Sequence, residues 1–305
     1  MDLSTRYLGL DLKSPFMPGA SPLADRIDSV LRLEDAGAAA IVLNSLFEED
    51  VVGNGQSTDQ YLERLLRIRQ RVDIPVIASL NGTTSEGWLH FARLIERAGA
   101  GALELNFYYI ATNPCEDAAA VERRIVDIVA VLKESIAIPL AVKLSPFFSS
   151  LPHLAARLDQ IGADGLILFN RFYQPDIDLD TLDSLLALDL SRPSELLLRL
   201  RWVGILHGRV RASLAVTGGV HGALDAVKAV IAGADAVQIV SALIQKGPRQ
   251  LKVIRDGFIR WADDHGYASV NQMRGRVSHT RAADPLAFER GNYIRLLQHW
   301  QGGES

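Results

Sequence analysis

A short phrase built on glycine and alanine returns four times along the chain, and its spacing limits the fold more than any other feature. It reads Ala36-Gly37-Ala38 before Ala40-Ile41-Val42-Leu43, and Ala98-Gly99-Ala100 before Ala102-Leu103-Glu104-Leu105. It returns as Gly162-Ala163-Asp164 before Gly165-Leu166-Ile167-Leu168, and as Gly233-Ala234-Asp235 before Ala236-Val237-Gln238-Ile239. Glycines 37, 99, 162 and 233 stand 62, 63 and 71 residues apart. Each copy has one physical reading. An amphipathic helix ends, glycine takes the left-handed position that side chains resist, and a short apolar strand follows.

Between the copies lie Ile74-Pro75-Val76-Ile77-Ala78, Ile138-Pro139-Leu140-Ala141-Val142 and Ala212-Ser213-Leu214-Ala215-Val216, each after a helical pattern. With Pro15-Phe16-Met17 they bring the count to eight strands. Runs that are apolar at nearly every position belong to strands buried on both faces, as in a parallel sheet covered by helices. Eight β/α units repeating in pairs predict an α/β fold, a closed (β/α)8 TIM barrel. An open doubly wound sheet shares the alternation, but eight units fit the roughly 250-residue size of a barrel. No Pro/Gly/Ser linker divides the 305 residues, so residues 1–305 read as one domain. Two segments exceed a minimal barrel, an extended loop at 171–193 and a helical extension at 265–305.

Composition narrows the partners. Hydrophobic residues at 48% and charged residues at 22% exclude a disordered chain or a coiled coil, and a net charge of −4 gives no attraction for nucleic acid. The single cysteine, Cys115, excludes an internal disulfide and any multi-cysteine zinc or iron–sulfur site within this chain, and fits a cytoplasmic protein. No basic-then-apolar leader opens the sequence, and no charge-free run approaches the roughly 18 residues a membrane span needs.

In a barrel, polar residues at the carboxyl ends of the strands face the active site. Here these are Ala20-Ser21, Asn44-Ser45, Ser79, Asn106, Lys143, Asn170, Thr217-Gly218-Gly219 and Ser241. Any one asparagine could be a helix cap or turn residue. Lys143 points into the mouth, where a buried cation needs an anionic partner or a depressed pKa. Thr217-Gly218-Gly219 after strand seven and Ser241 after strand eight match the barrel's phosphate site.

These stretches resemble the FMN-dependent dihydroorotate dehydrogenases of the soluble class. The matching pieces are Leu12-Lys13-Ser14-Pro15-Phe16-Met17, Glu104-Leu105-Asn106, Val142-Lys143-Leu144-Ser145-Pro146 and Thr217-Gly218-Gly219-Val220. Leu190-Ser191-Arg192-Pro193 followed by Leu200-Arg201-Trp202-Val203 also matches, at the same spacing. The resemblance implies FMN across the barrel mouth. Its phosphate would rest on Gly218, Gly219 and Ser241, with Ser191 and Ala242 adjacent. Lys143 would stabilise the reduced flavin by direct attraction at the N1/O2 edge, and Ala20, Ser21, Asn44, Ser45, Ser79, Asn106 and Asn170 would line the ring.

The chain departs from the family around the substrate. The family follows its fourth-strand Asn with Ser-Cys-Pro-Asn or a similar segment that supplies the general base, whereas this chain has Asn106-Phe107-Tyr108-Tyr109. Asn44 stands where the family has its second-strand lysine, and residues 48–56 replace a substrate-reading loop. A phenol, with a reference pKa of about 10, is a poor base at neutral pH but a serviceable acid. Tyr109, or Tyr108, is therefore expected to donate a proton while hydride passes to or from the flavin. Cys115 is a displaced alternative. Asn106, Asn170 and Arg171 are expected to hold a small anionic substrate, since a guanidinium fork suits a carboxylate.

Two other function classes stay open. Lys143 could form a Schiff base in a lyase, or the chain could be a flavoprotein without turnover of its own. No metal site is expected. The histidines show no ligand-pair spacing, and Asp176, Asp178 and Asp180 begin like a calcium loop but meet Thr181 and Ala187 where Gly and Glu are required. The C-terminal arginines, interleaved with Asp284 and Glu289, read as surface or subunit-contact residues. A homodimer is expected by analogy, and any iron–sulfur electron-transfer protein must be a separate chain.

Overall fold

The computed structural model describes residues 1–48, 58–82, 85–171, 173–185 and 189–301. Most of the 48–56 loop therefore lies outside the described residues, as do Phe172 and Ala187 in the long loop.

All eight expected strands form. They are β1 (Phe16–Pro18), β2 (Ile41–Phe47), β3 (Val76–Asn81), β4 (Ala102–Asn106), β5 (Leu140–Leu144), β6 (Gly165–Leu168), β7 (Ser213–Thr217) and β8 (Ala236–Ile239). All adjacent pairs are parallel, in the order β1-β8-β7-β6-β5-β4-β3-β2. The two ends of this order meet where the Ala39 N–H donates to the Phe16 carbonyl at 2.9 Å. The sheet curls on itself as a barrel, with the helices outside, and the open-sheet alternative is set aside.

The four recurring glycines perform the expected task. Gly37, Gly99, Gly162 and Gly233 have φ of 98°, 81°, 90° and 131°. At each, the glycine N–H bonds to the carbonyl three residues back, and the next N–H bonds to the carbonyl five residues before it, as in Ala38 to Leu33 and Ala163 to Leu158. This double closure satisfies the last helical carbonyls and turns the chain directly into a strand. A non-glycine residue there would meet the steric penalty of the left-handed region.

Strand side chains alternate between two cores, as a pleat requires. Leu103, Leu105, Val142, Val216 and Val237 face the helices. Met17, Ala102, Ala141, Ile167, Ala215 and Ala236 fill the barrel. An antiparallel pair, Thr5–Tyr7 with Leu10–Leu12, closes its floor and contributes fully buried Tyr7 to that interior. Burial, with Glu104 and Asp235 adding to it, holds the Tyr7 phenol well above its ordinary pKa. Tyr7 thus remains a neutral plug.

One layer above those small residues the barrel is polar. Lys143 Nζ donates to Glu104 Oε1 at 3.0 Å, with only 7% and 1% of the two side chains exposed. Gln238 Nε2 donates to the other Glu104 oxygen at 2.8 Å. The buried cation therefore has its anionic partner, and both carboxylate oxygens are occupied.

The additional segments lie outside the barrel. In the long loop, Asp176–Asp178 pairs with Asp183–Leu185 as a hairpin, and Asp178 Oδ1 accepts the N–H groups of Asp180 and Thr181 to close its turn. The C-terminal segment carries Val270–Met273 and a final helix, Arg290–Gln301. It is tied to the barrel's outer helices by Gly275 N–H to the Val230 carbonyl and His279 N–H to the Gly204 carbonyl. Among the described residues no helix is long and apolar enough to cross a membrane.

Two stability predictions follow from this architecture. A Cβ at Gly162 would meet nothing nearer than Lys133 Cε at 3.6 Å, so Gly162→Ala isolates the backbone penalty. It should cost about 1–2 kcal/mol, read from the urea unfolding midpoint, and no change would refute the helix-stop role. Glu104→Leu should cost about 3–5 kcal/mol by leaving Lys143 buried and unpaired. Adding Lys143→Met should restore most of that loss in the same measurement.

Candidate active site

The carboxyl ends of the strands enclose a cavity of about 450 Å³. It is bordered by Ala20, Ser21 and Pro22 after β1, by Asn44, Ser45 and Phe47 on β2, and by Asn81 on β3. Asn106 and Tyr108 from β4 and Lys143 from β5 continue the ring. Phe169, Asn170, Arg171 and Tyr173 follow β6, then Leu190, Ser191, Thr217, Gly218, Val240, Ser241 and Ile244 complete it. Two clefts of similar size elsewhere are bordered by surface ion pairs, Arg64 with Asp25 and Arg274 with Asp235.

Asn44 and Ser45 are consecutive, yet both reach the cavity. The β2–β3 register shifts between Val42 and Ser45, and this irregularity turns an extra residue inward. Asn44 is tied back through its Nδ2 to Asp25 at 3.4 Å, while its Oδ1 accepts the Ser45 N–H. Ser79 lies below the cavity surface. Its hydroxyl shares a 2.8 Å bond with that of Ser45, and its backbone N–H and carbonyl both engage the Tyr61 hydroxyl. Ser79 thus supports the cavity lining without belonging to it.

The two tyrosines separate. Tyr108 lines the cavity, and its hydroxyl accepts the Tyr173 N–H at 3.2 Å. Tyr109 is outside the lining. Its hydroxyl donates to Glu116 at 2.6 Å, and Arg124 lies over its ring at 4.8 Å. Cys115 is exposed in the same outer loop, absent from the cavity lining.

The glycine turn after β7 forms a compact hydroxyl and amide cluster. Gly218 and Gly219 have φ of 87° and 80°, and a Cβ at Gly219 would sit 2.5 Å from the Leu196 nitrogen. Gly219 N–H donates to Ser191 Oγ at 3.1 Å, and both the N–H and the hydroxyl of Ser191 donate to Ser241 Oγ, at 3.0 and 2.8 Å. His221 Nε2 meets the Ser191 carbonyl at 2.7 Å and steadies it. Ser191, Gly219 and Ser241 are therefore brought together, whereas Ala242 is fully buried behind the lining. Hydroxyls and turn amides in a concave cluster are the donor set for a phosphate.

Arg199, which the sequence reading passed over, adds a full charge behind this turn. Its Nε donates to the Thr217 carbonyl at 2.9 Å, its Nη1 to the Glu195 carbonyl at 2.8 Å, and its Nη2 lies 3.0 Å from where a Gly218 Cβ would stand. Burial pulls the Arg199 pKa down from its ordinary value, while Glu195 works the other way. Glu195 in turn accepts from Arg171 Nη1 at 2.5 Å and from the Arg192 N–H at 2.9 Å. Burial pushes its carboxyl up, but these donors together bring it below the usual range. Arg171 also pairs with Asp189 at 3.2 Å, so its two terminal nitrogens hold carboxylates while its Nε is buried without a partner.

Asn170 Nδ2 donates to the Phe107 carbonyl at 3.2 Å, which fixes its carboxamide at the rim. Asn106 Oδ1 is buried without a hydrogen-bond partner. Asn81 is the second contributor that sequence reading missed, along with Phe47, Phe169 and Tyr173. The cavity thus combines a hydroxyl-bearing end, a buried cation and the aromatic side chains of Phe47, Tyr108, Phe169 and Tyr173, a set that fits a flat ligand carrying a phosphate.

Comparison with known proteins agrees with this arrangement. Residues 50–261 match the family model for dihydroorotate dehydrogenase. The catalytic subunit of dihydroorotate dehydrogenase B (NAD(+)) from Thermoplasma acidophilum is 28% identical over 301 residues, covering 90% of this chain and 98% of that protein. The corresponding subunit from Geobacillus kaustophilus is 28% identical over 310 residues, covering 92% and 97%. Dihydroorotate dehydrogenase A (fumarate) from Lactobacillus delbrueckii subsp. bulgaricus is 26% identical over 306 residues, covering 88% and 96%. With most of its barrel matched and its Gly218 turn and β5 lysine in one cavity, this chain belongs to the dihydroorotate dehydrogenase family.

Proposed function

We propose that the chain is an FMN-dependent oxidoreductase that oxidises or reduces a carbon–carbon bond of a small substrate other than dihydroorotate. The observation that carries this reading is a single cavity with the Gly218 turn at one side and Lys143 at another. Gly218, Gly219, Ser191 and Ser241 would hold the cofactor phosphate, with Arg199 behind them. Lys143 would hold a polar edge of the ring, and Ala20, Ser21, Asn44, Ser45 and Asn106 would pack around it. Bound FMN supplies a two-electron hydride acceptor or donor.

The proton is assigned to Tyr108. Its side chain borders the cavity, and the Tyr173 N–H on its oxygen supports that oxygen after a proton has left. In the reductive direction Tyr108 gives its proton to the carbon beside the one that takes hydride, then regains one from water. Tyr109, engaged with Glu116 and Arg124, positions the outer loop instead. An anionic substrate would have to compete with Asp189 for Arg171.

The departures from the family support a substrate change. Asn44 replaces a lysine, and Phe107-Tyr108-Tyr109 replaces the base-bearing segment. The Schiff-base alternative has no comparable support, since Lys143 Nζ forms a buried salt bridge with Glu104 inside the barrel. The proposal includes a homodimer and a separate electron-transfer chain. Relatives named as catalytic subunits support the latter.

Purified protein should carry FMN, read from its visible absorption spectrum, and failure to take up added FMN would overturn the cofactor assignment. With flavin bound, Tyr108→Phe should lower turnover about 100-fold or more, whereas Tyr109→Phe should stay near wild type. The reverse ranking would return the proton role to Tyr109.

A further inference from the structure

We infer that Arg171 is a specificity-determining residue, holding a carboxylate of the substrate along its Nε–Nη2 edge while Asp189 gives way to it. This deepens the flavin reading and rests on it for the position of the reacting bond.

The two sides of this guanidinium are used differently. Nη1 is held by Glu195 at 2.5 Å, and Glu195 is fixed in turn by the Arg192 N–H and by Arg199 at 3.9 Å. That side is closed. Along the opposite edge the Nε–H lies parallel to an N–H of Nη2, the paired geometry that a carboxylate matches. Only half of this edge is occupied. Asp189 accepts from Nη2 through one oxygen at 3.2 Å, while Nε is buried with no partner among the described residues. A buried donor without an acceptor is disfavoured, and a group that supplies one recovers the loss. A carboxylate laid along this edge makes two parallel charge-assisted bonds where Asp189 makes one.

Asp189 is also the partner able to leave. Its side chain is 65% exposed, so its bond to Arg171 is a surface contact of little strength. Its other oxygen already lies 4.0 Å from Arg192 Nη2, an exposed guanidinium that can take it over. Charge favours the exchange. Arg171, Arg192 and Arg199 supply three positive charges against two negative ones on Asp189 and Glu195, which leaves one for an incoming anion. Lys143 offers no such opening, because Glu104 and Gln238 close its pair inside the barrel. Arg171 borders the cavity, and Tyr173 links it to the assigned acid. The Tyr173 ring lies 5.8 Å from Arg171 Cζ, and its N–H holds the Tyr108 oxygen. A conjugated acid anchored there brings the carbon beside its carboxylate, the one that takes a proton, toward Tyr108.

Crotonate and crotonamide have nearly the same shape and differ in charge, so they test the inference directly. Calorimetric titration of the FMN-incubated full chain reads their binding, and the visible spectrum reads bound flavin separately. Crotonate should bind at least about tenfold more tightly than crotonamide. Asp189→Asn should tighten crotonate about threefold or more by removing its competitor, with crotonamide unchanged. Adding Arg171→Leu should abolish that gain. An arginine that only ties the loop together predicts none of these responses. Crotonate binding no better than crotonamide, including no binding of either, overturns the inference, as does an Asp189→Asn gain that is absent or survives the loss of Arg171. Loss of flavin with unchanged crotonate affinity in Arg171→Leu would give the arginine to the cofactor phosphate, and overturns it too. If Arg171→Leu does not fold, Arg171→Lys takes its place, since an ammonium keeps the charge without the paired donors. A colourless protein with this preference and both responses would sink the flavin reading and keep this one. A yellow protein that prefers crotonamide would do the opposite.

Discussion

The Glu104–Lys143 ion pair is the constraint around which the barrel is arranged. Two charges cannot be moved from water into a protein interior unless each is met by the other and the remaining oxygens and protons find partners. Glu104 on β4 is satisfied from β5 by Lys143 and from β8 by Gln238, so the pair fastens strands lying on different arcs of the ring. Replacing all three with well-packed apolar residues would stabilise a barrel at least as well. A cation kept at this depth therefore makes sense as part of the cavity it borders, and the small alanines below it leave room for that polar layer.

Most of the architecture was legible because local signals and global fold agree. Each helix-ending glycine announces a strand, and the hydrogen bonds at Gly37, Gly99, Gly162 and Gly233 are those a left-handed stop requires. The strand-end polar residues were legible for the same reason, since strand direction dictates which end of a barrel they occupy. The missed side chains follow from stopping the alternation too soon. Ile77 and Ser79 are succeeded, two residues on, by Asn81, and Asn106 by Tyr108. The period of two continues past the strand, carrying Phe107 onto Trp88 at a 5.0 Å ring separation and Tyr109 out to Glu116. A reading that extended the pleat would have placed Tyr108, and not Tyr109, at the cavity.

Other parts could not be read that way. Ser79 has the right parity but lies one layer too deep, because the Ser45 hydroxyl sits over it and Tyr61 takes up its backbone. The paired appearance of Asn44 and Ser45 depends on a register shift that no periodicity contains. Arg171 shows the limit of inferring a binding role from residue type alone. Its fork suits a carboxylate, but the carboxylates it meets belong to Asp189 and Glu195, far along the sequence and brought near only by the long loop's return.

That return gives the far wall of the cavity its character. Arg171, Glu195 and Arg199 form a row of alternating charge from the end of β6 to the turn after β7. Each member offsets the burial cost of the next. Arg199 needs the space beneath Gly218, and Gly219 lies so close to the Leu196 backbone that neither position could carry a side chain without displacing the loop. The glycines therefore let the 189–196 segment press against β7, with the Gly219 N–H donating to Ser191 Oγ. The Arg171 side of the cavity and the turn after β7 are consequently one packed unit, joined through Glu195.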